Sequence, residues 1–424
     1  MKALHALLLA ALVPLTSLAA PLVVPSRIES TLAGMVQRGE VVGVSAVVFE
    51  NGKEAYFGAF GMADREAGRP MARDTLSVIY SMTKPVTAVA LLQLQEQGKL
   101  QMDDPIEKYL PEFGNLRVWA GGTAAEPQTV ALDRPLTIRD LGRNTAGFAV
   151  GDGLREGLKQ LSQEAWAGAS WNTNLRGLAR IAAKLPLVHQ PGARWRYDIP
   201  TNIQARIVEK VSGQPYDVYL AEHIFKPLGM TSTRYVVADG DADLSKLAAT
   251  YVRQPDGQFV RRPDAEAHAF NRKDWAQKPG AFGLVSTLDD YAQFARMLLN
   301  EGVGPNGARI LKPETVRLMA TNVLPDSVTE RQWLPEKGNT GFGVNVGVRV
   351  GPPRHRDDVS GAPGEFFWDG AANTLFWVDP KHQIVTVLFS QFFPAGDARL
   401  NKAIRAAVYA DDAEAFAGNK PPKP

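Results

Sequence analysis

A serine and a lysine three residues apart, Ser81 and Lys84, stand where an apolar helix is expected to begin. Residues at this spacing share one face of a helix, so the hydroxyl and the amine can point into the same cleft. Backbone N–H groups in a first helical turn lack intrahelical partners, and the helix dipole favours negative charge there. The pair therefore suits nucleophilic catalysis, with a lysine near the serine and the N–H of Ser81 as an oxyanion donor.

The residues after Lys84 support a helix start at this point. Pro85 is tolerated only within the first turn of a helix, and Gly98 is a suitable C-terminal cap for the apolar run between them. A single Ser-x-x-Lys match is a weak signal, however. The spacing alone also fits an ordinary N-cap serine followed by a lysine in solvent.

The elements that would position this pair are strands near both ends of the chain and helices between them. Asn51-Gly52 between two apolar runs predicts a β-hairpin over residues 41–61. Periodicity predicts further strands over 341–350, 371–378 and 382–390, and helices over 30–38, 202–211, 288–299 and 398–409. Residues 81 to about 270 are expected to be mostly helix and loop.

This order of elements predicts an α/β (α+β) fold, with an antiparallel sheet built from both chain ends, flanked by helices, and an inserted, mainly helical lobe. We expect the sheet lobe to comprise about residues 21–80 and 275–415 and the helical lobe about 81–274. Residues 416–424 are expected to be a flexible tail. A site would form in the cleft between the lobes.

Composition limits the function. The chain has 424 residues, 45% of them hydrophobic, and a net charge of +2 without a basic run, so nucleic acid is not an expected partner. The absence of cysteine excludes disulfides, thiol nucleophiles and zinc–thiolate sites. The six histidines have no metal-ligand spacing, and we predict neither a metal nor a cofactor.

The first 20 residues have the pattern of a secretory signal, with Lys2 near the start, an apolar run over 6–15 and small residues before position 21. The apolar run is too short for a stable membrane span, and no other segment is apolar enough to cross a membrane. We therefore expect a periplasmic or secreted protein; the oligomeric state stays open.

Two further motifs make a functional interpretation of the serine–lysine pair more specific. They are residues 190–198 (QPGARWRYD), directly before the helix predicted over 202–211, and residues 368–374 (WDGAANT), at the entry to a strand. With Ser81–Lys84, their order and spacing resemble the penicillin-recognising serine hydrolases. This family includes class C β-lactamases, D-Ala-D-Ala carboxypeptidases and carboxylesterases with a β-lactamase fold, and the resemblance covers most of the mature chain.

The resemblance implies a role for each matching residue. Ser81 would be the acylated nucleophile, Lys84 would hold the proton network or act as a base, and Tyr197 would activate Ser81 and later protonate the leaving group. The oxyanion hole would combine the backbone N–H groups of Ser81 and Ala371. Because an ammonium favours a nearby phenolate, Lys84 is expected to lower the pKa of Tyr197 from its ordinary value of about 10.

The chain also departs from the family pattern. Ile199 stands where an asparagine is expected, and Asp198 is a candidate N-cap for the next helix. Trp368 replaces a lysine that meets the substrate carboxylate, and Asp369 adds a negative charge. Trp368, Asp369 and Gly370, expected at the substrate, thus match the Trp-x-Gly of the esterases in this family. Trp368 could alternatively only pack.

We therefore expect a serine hydrolase that forms an acyl-enzyme at Ser81 and acts as a carboxylesterase on small, neutral, short-chain esters. The alternatives are a β-lactamase or D-Ala-D-Ala-type peptidase, or a non-catalytic relative that binds cell-wall peptide. Residues 143–147 (RNTAG) also depart from the family's usual Thr-His-Thr-Ser-Gly, and the sequence offers no physical account of the consequence.

Overall fold

The structure is a computed structural model that describes residues 21–151, 153–197, 199–354, 358–359 and 361–409. The predicted signal segment (1–20) and the predicted tail (416–424) lie outside these residues, as does Asp198 with its predicted capping role.

Most of the helices that the structure describes lie in the middle of the chain. In order they are α1 (Pro25–Gln37), α2 (Thr83–Glu96), α3 (Ile138–Gly142), α4 (Glu156–Trp166), α5 (Leu175–Ala182), α6 (Pro200–Ser212), α7 (Tyr216–Leu220), α8 (Lys226–Leu228), α9 (Asp264–Ala267), α10 (Leu288–Leu299), α11 (Pro313–Met319) and α12 (Ala398–Tyr409). The helices predicted over 202–211, 288–299 and 398–409 are thus present within one or two residues. The helix predicted over 30–38 begins earlier, at Pro25, because proline is favoured in a first turn.

Strands lie at both ends of the described chain and in two hairpins between them. In order they are β1 (Gly43–Glu50), β2 (Lys53–Asp64), β3 (Arg69–Pro70), β4 (Ser77–Val78), β5 (Val118–Gly122), β6 (Pro127–Val130), β7 (Tyr251–Arg253), β8 (Phe259–Arg261), β9 (Val285–Ser286), β10 (Thr340–Phe342), β11 (Gly347–Arg349), β12 (Phe366–Gly370), β13 (Thr374–Asp379), β14 (Ile384–Phe389) and β15 (Phe392–Phe393).

The main sheet is antiparallel and joins the two ends of the chain. Its order, over the described residues, is β10-β11-β12-β13-β14-β1-β2-β3. The junction is the pairing of β1 with β14, in which Ser45 lies opposite Phe389 and Glu50 opposite Ile384. The predicted sheet from both chain ends, with helices around it, is therefore confirmed.

Two hydrophobic cores cover the two faces of this sheet. On β1, Val44 and Val48 pack into the core beneath α1 and α12, while Val47 and Phe49 pack into the larger core that contains α2, α6 and α10. Side chains alternate between the faces of a strand, so a strand buried on both faces reads as one apolar run. This explains why β1 and β14 have such clear sequence signals.

Two predicted strands are wrong in extent. Residues 341–350 form β10 and β11 with a turn between them, and the strand predicted from 371 begins only at Thr374. In each turn an asparagine adopts a left-handed conformation, Asn345 with φ of 57° and Asn373 with φ of 59°. Asparagine tolerates this region, and it ends the extended run.

The prediction of helix and loop between 81 and 270 missed the hairpins β5–β6 and β7–β8. The side chains of β6 are mostly exposed, so they show no apolar alternation. Tyr251 of β7 and Phe259 of β8 are buried in the core beneath α1 and α12. Among the residues that the structure describes, no helix has the length and apolar character needed to cross a membrane.

Candidate active site

Ser81 lies in a single 3-10 turn, Tyr80–Met82, which leads directly into α2. The turn begins with strain, because Tyr80 has a φ of 44°, a region that residues with side chains rarely occupy. It is held from α10, where the Tyr291 hydroxyl donates to the Met82 carbonyl at 2.9 Å. Ser81 therefore lies two residues before the first residue of α2, so the predicted helix start near Ser81 is confirmed within two residues.

The side chain of Lys84 contacts Ser81 as its spacing predicts. Lys84 Nζ lies 3.1 Å from Ser81 Oγ, and the lysine is 3% exposed. Nζ also donates to the Ala281 carbonyl at 2.8 Å and lies 4.5 Å from the ring centre of Tyr197. The alternative of a solvated lysine behind a capping serine is thus wrong.

The Ala281 carbonyl is itself held in place from α6. The Ala281 N–H donates to Asn202 Oδ1 at 3.0 Å, and Asn202 is buried. One residue earlier, the Gly280 carbonyl accepts a hydrogen bond from the Thr87 hydroxyl on α2 at 2.7 Å. The segment is fixed between two helices, so the acceptor that orients the Lys84 side chain has little freedom.

Tyr197 lies in the loop before α6, inside a cluster of aromatic rings. Its backbone N–H donates to Gln332 Oε1 at 2.8 Å, and its ring stacks on Trp195 with centroids 6.0 Å apart. The ring of Trp333 packs edge-to-face with that of Tyr197, with centroids 5.1 Å apart, and Trp368 Nε1 donates to the Tyr197 hydroxyl at 3.4 Å. These contacts fix the phenol beside Ser81 and Lys84.

Burial raises the pKa of Tyr197 above its ordinary value. Hydrogen bonds with Ser81 and Trp368 act in the opposite direction, and the charge of Asp369 raises the pKa further. The pKa of Tyr197 is thus raised overall, and the expected net lowering is wrong. The physical reason is that Lys84 Nζ faces the ring while the hydroxyl is desolvated, so Tyr197 is a neutral phenol at neutral pH.

The turn between β12 and β13 lies against the nucleophile. A Cβ atom on Gly370 would come 2.4 Å from the Ile79 carbonyl oxygen, immediately before the Ser81 turn. Only glycine permits so close an approach of the two backbones. Ala371, the next residue, lines the same pocket as Ser81, as an oxyanion hole formed by the two N–H groups requires.

Trp368 lies behind the pocket and not on its surface. It is 1% exposed and packs edge-on against Phe342, with ring centroids 5.3 Å apart, besides its hydrogen bond to Tyr197. The expectation that Trp368 contacts substrate is therefore wrong, because on β12 the side chains alternate and this one points into the core. Trp368 is linked to the site by its hydrogen bond to the Tyr197 hydroxyl.

Asp369 does line the pocket, but a cation that the sequence analysis did not anticipate accompanies it. Lys337 Nζ forms a short hydrogen-bonded ion pair with Asp369 Oδ2. The two side chains are only 17% and 24% exposed. Lys337 Nζ also lies 5.2 Å from the ring of Trp333 and 5.5 Å from that of Trp368. The charge of Asp369 in the pocket is therefore compensated.

The pocket has a volume of about 500 Å³ and brings together five of the seven predicted site residues. Ser81, Tyr197, Asp369, Gly370 and Ala371 line it. The remaining wall is largely apolar, from side chains that include Trp333, Val359, Ala395 and Ala398, with polar groups from Glu336, Lys337 and Asn401. The arrangement can enclose a small, mostly apolar molecule next to the serine hydroxyl.

The structure also gives an account of residues 143–147. Arg143 donates to the buried Asp140 at 2.9 Å, and Arg134 donates to the same carboxylate at 2.6 Å. Burial would raise the pKa of Asp140, but its hydrogen bonds and the two arginine charges outweigh this and lower the pKa to about 2. Arg143 thus serves an internal ion-pair network in this chain.

Sequence reasoning missed Lys337, Trp333 and the Ala281 carbonyl. Lys337 ends a 3-10 turn, Leu334–Lys337, and no local pattern links it to Asp369, 32 residues further on. The Ala281 acceptor is a backbone group, so residue type carries no signal for it.

Residues 28–410 match the model of the Beta-lactamase family, and the chain belongs to that family. It is 32% identical over 369 residues to an uncharacterized protein of Mycobacterium tuberculosis (strain CDC 1551 / Oshkosh), covering 86% of this chain and 90% of that protein. It is 30% identical over 413 residues to Esterase EstB of Burkholderia gladioli, covering 91% of this chain and 95% of the esterase.

A solved structure shows the same fold. Simvastatin synthase (LovD) from Aspergillus terreus aligns with a TM-score of 0.77 at 22% identity, covering 91% of this chain and 98% of that one. The fold is therefore the β-lactamase fold, and the chain is a serine hydrolase of that family.

Proposed function

We propose that this hydrolase is a carboxylesterase that forms an acyl-enzyme at Ser81 and acts on neutral, short-chain esters. The observation that carries the proposal is the contact of Lys84 Nζ with Ser81 Oγ, 3.1 Å apart, beside the Tyr197 phenol. The likeness to Esterase EstB supports ester hydrolysis as the reaction.

The geometry suggests how the proton of Ser81 moves. Lys84 acts as the base that accepts the proton as Ser81 Oγ bonds to the ester carbonyl carbon. Tyr197 is a neutral phenol, so it is placed to donate its proton to the departing alkoxide. The proton on Lys84 then restores Tyr197. Hydrolysis of the acyl-enzyme repeats these transfers with water as the nucleophile.

The N–H groups of Ser81 and Ala371 would stabilise the negative oxygen of the tetrahedral intermediate. Gly370 supports this role, because its close contact with Ile79 fixes the distance between the two loops that carry the donors. Loss of one oxyanion donor typically lowers kcat by about 10²–10³.

The pocket wall favours an uncharged acyl or alcohol group. Trp368 is buried, and the Lys337 ammonium is already paired with Asp369, so neither offers a free partner to a substrate carboxylate. A charge that enters such a pocket loses hydration without a partner, which is unfavourable. Apolar lining from Trp333 and Val359 suits a short acyl chain instead.

Purified protein without residues 1–20 tests the proposal against its main competitor, a β-lactamase or D-Ala-D-Ala peptidase. We expect hydrolysis of p-nitrophenyl butyrate with a far higher kcat/KM than for a chromogenic cephalosporin, and no release of D-alanine from a D-Ala-D-Ala peptide. Preferential turnover of the cephalosporin or the peptide would refute the ester assignment. A Ser81→Ala variant measured in parallel identifies background hydrolysis.

We also propose export to the periplasm or beyond it, on the pattern of residues 1–20. The N-terminal sequence of the protein recovered from its native cell envelope or medium tests this. A mature chain that begins near residue 21 is expected, and an intact Met1 in a cytoplasmic fraction would contradict export.

A further inference from the structure

Lys337 and Asp369 form an ion pair in the wall of the pocket that contains the nucleophile. Both residues line the pocket, and each side chain retains less than a quarter of its exposure. A ligand bound in the pocket would therefore lie next to this ion pair. Its surroundings are apolar on one side, since Lys337 Nζ lies against the rings of Trp333 and Trp368.

The backbone of Lys337 is anchored, and its ammonium is placed by Asp369 and the rings of Trp333 and Trp368. The Lys337 carbonyl accepts a hydrogen bond from the Thr340 hydroxyl at 3.0 Å and another from Arg349, which is 2% exposed. Asp369 is fixed by its position in β12, opposite Leu375 of β13. The two charges are therefore held by separate elements and meet only at the pocket.

The pair determines the electrostatic character of this wall. Among the described residues, the wall has three charged side chains, and with Lys337 positive and Asp369 and Glu336 negative they carry a net charge of −1. Asp369 engages the ammonium directly, whereas Glu336 is exposed. A substrate carboxylate that approached Lys337 would have to displace Asp369 or share the ammonium with it, and in both cases two carboxylates would lie side by side.

We propose that Lys337 and Asp369 act as a selectivity pair, in which Asp369 occupies the Lys337 ammonium and so excludes ligands that carry a carboxylate. This inference rests on the proposed function, since it names the residues that set its preference for uncharged substrates. Removal of Asp369 leaves a lysine aimed at the pocket, and the preference then reverses toward anionic ligands. Removal of Lys337 strengthens the exclusion.

Reversible binding of boronic acids tests the pair without requiring turnover, because boron bonds to a serine hydroxyl. The probes are phenylboronic acid and its 3-carboxy and 4-carboxy derivatives, with dissociation constants measured by calorimetry. For Asp369→Asn we expect the affinity ratio of carboxylated to plain probe to rise about tenfold over wild type for at least one derivative. For Lys337→Met we expect that ratio to fall.

Two control variants distinguish the effect of this ion pair from the effect of removing any charge near the pocket. Glu336→Gln removes the same charge from the neighbouring, exposed position and should change the ratio much less than Asp369→Asn. The double variant Asp369→Asn with Lys337→Met should lose the gain. An unchanged ratio in both single variants, an equal effect of Glu336→Gln, or failure of wild type to bind any of the boronic acids would overturn the inference.

Hydrolysis of p-nitrophenyl butyrate, measured on the same samples, keeps the two proposals distinct. A shift in boronate preference without ester hydrolysis in wild type would contradict the proposed function alone. Ester hydrolysis without the shift would contradict the selectivity pair alone. If circular dichroism shows that Asp369→Asn does not fold, the affinity ratio measured for Lys337→Met decides the test. For that variant the ratio is expected to change in the opposite direction.

Discussion

Lys84 Nζ is fixed 3.1 Å from Ser81 Oγ by a second acceptor, the Ala281 carbonyl, at 2.8 Å. The lysine thus approaches the nucleophile from a defined direction, and its side chain is almost completely buried. Within the part of the chain that the structure describes, the groups that contact the hydroxyl are an amine and a phenol, without an imidazole. The chemistry of the site therefore depends on how these two groups share one proton.

Replacement of Lys84 by methionine should abolish most activity. The substitution keeps the length and apolar stem of the side chain but removes the group that contacts Ser81 Oγ, so kcat/KM for p-nitrophenyl butyrate is expected to fall by about 10²–10⁴. Lys99→Met, at an exposed lysine beyond the same helix, serves as the matched control and should leave kcat/KM unaltered. A Lys84→Met enzyme with more than a tenth of wild-type activity would refute the base role.

The raised pKa of Tyr197 predicts that its phenol stays protonated well into the alkaline range. The sign follows from the charge of each form: burial disfavours the phenolate, so the neutral form persists above the ordinary pKa of about 10. An ultraviolet difference titration of wild type against Tyr197→Phe should show no phenolate from Tyr197 below about pH 10. A phenolate signal near neutral pH would show that the lysine charge dominates after all.

Tyr197→Phe also tests the proton-donor role. The ring and its packing on Trp195 remain, while the hydroxyl that meets Ser81 and Trp368 is lost. We expect kcat to fall by about 10²–10⁴ with a smaller change in KM, since general acid–base groups act mainly on the chemical step. A loss confined to KM would mean that the hydroxyl only binds substrate.

Gly370→Ala should lower activity by displacing the backbone next to Ser81. The added methyl would come 2.4 Å from the Ile79 carbonyl oxygen, so either β12 or the Ser81 turn must move. We expect kcat/KM to fall at least tenfold, because catalysis is sensitive to displacements of about 1 Å. Gly168→Ala is the control, as a methyl there meets no atom within 4 Å. Unchanged activity in Gly370→Ala would show that the two loops are not tightly coupled.

The Asp140 network predicts a loss of stability in acid. The pKa of Asp140 is lowered to about 2 in the fold from an ordinary 3.8, so its contribution is present above about pH 4 and is lost as the pH falls through 2. The shift corresponds to about 2 kcal/mol of unfolding free energy. Urea unfolding of wild type and Asp140→Asn at pH 7 and near pH 2 measures it.

For Asp140→Asn, the deficit in unfolding free energy should be largest at pH 7 and should shrink near pH 2. Asp133→Asn, an exposed carboxylate nearby, should show no such pattern. An equal deficit at both pH values would contradict the ion-pair account.

The features that could be predicted correctly are those whose sequence signal lies within a few neighbouring residues. The contact of Ser81 with Lys84 follows from a spacing of three residues, and the strands β1 and β14 follow from apolar runs buried on both faces. The turns at Asn345 and Asn373 could not be predicted, because they depend on a left-handed backbone within runs that read as strand. The exposed strand β6 has no apolar pattern at all.

The pocket wall shows the same limit. The motif placed Trp368 and Asp369 near the nucleophile, but which of the two faces the pocket depends on how β12 lies in the sheet. Lys337 reaches Asp369 from a separate turn, so only the three-dimensional structure reveals that the charge of Asp369 is compensated. The proposed preference for neutral substrates consequently depends on the pairing of Lys337 with Asp369, and not on simple repulsion by Asp369.

Direct observation of the acyl-enzyme tests the central claim most sharply. Mature protein mixed with p-nitrophenyl butyrate and quenched in acid should gain the mass of one butyryl group, and peptide mapping should place it on Ser81. Folded Ser81→Ala should neither gain this mass nor hydrolyse the ester. Retained hydrolysis in Ser81→Ala, or an adduct at another residue, would contradict the account.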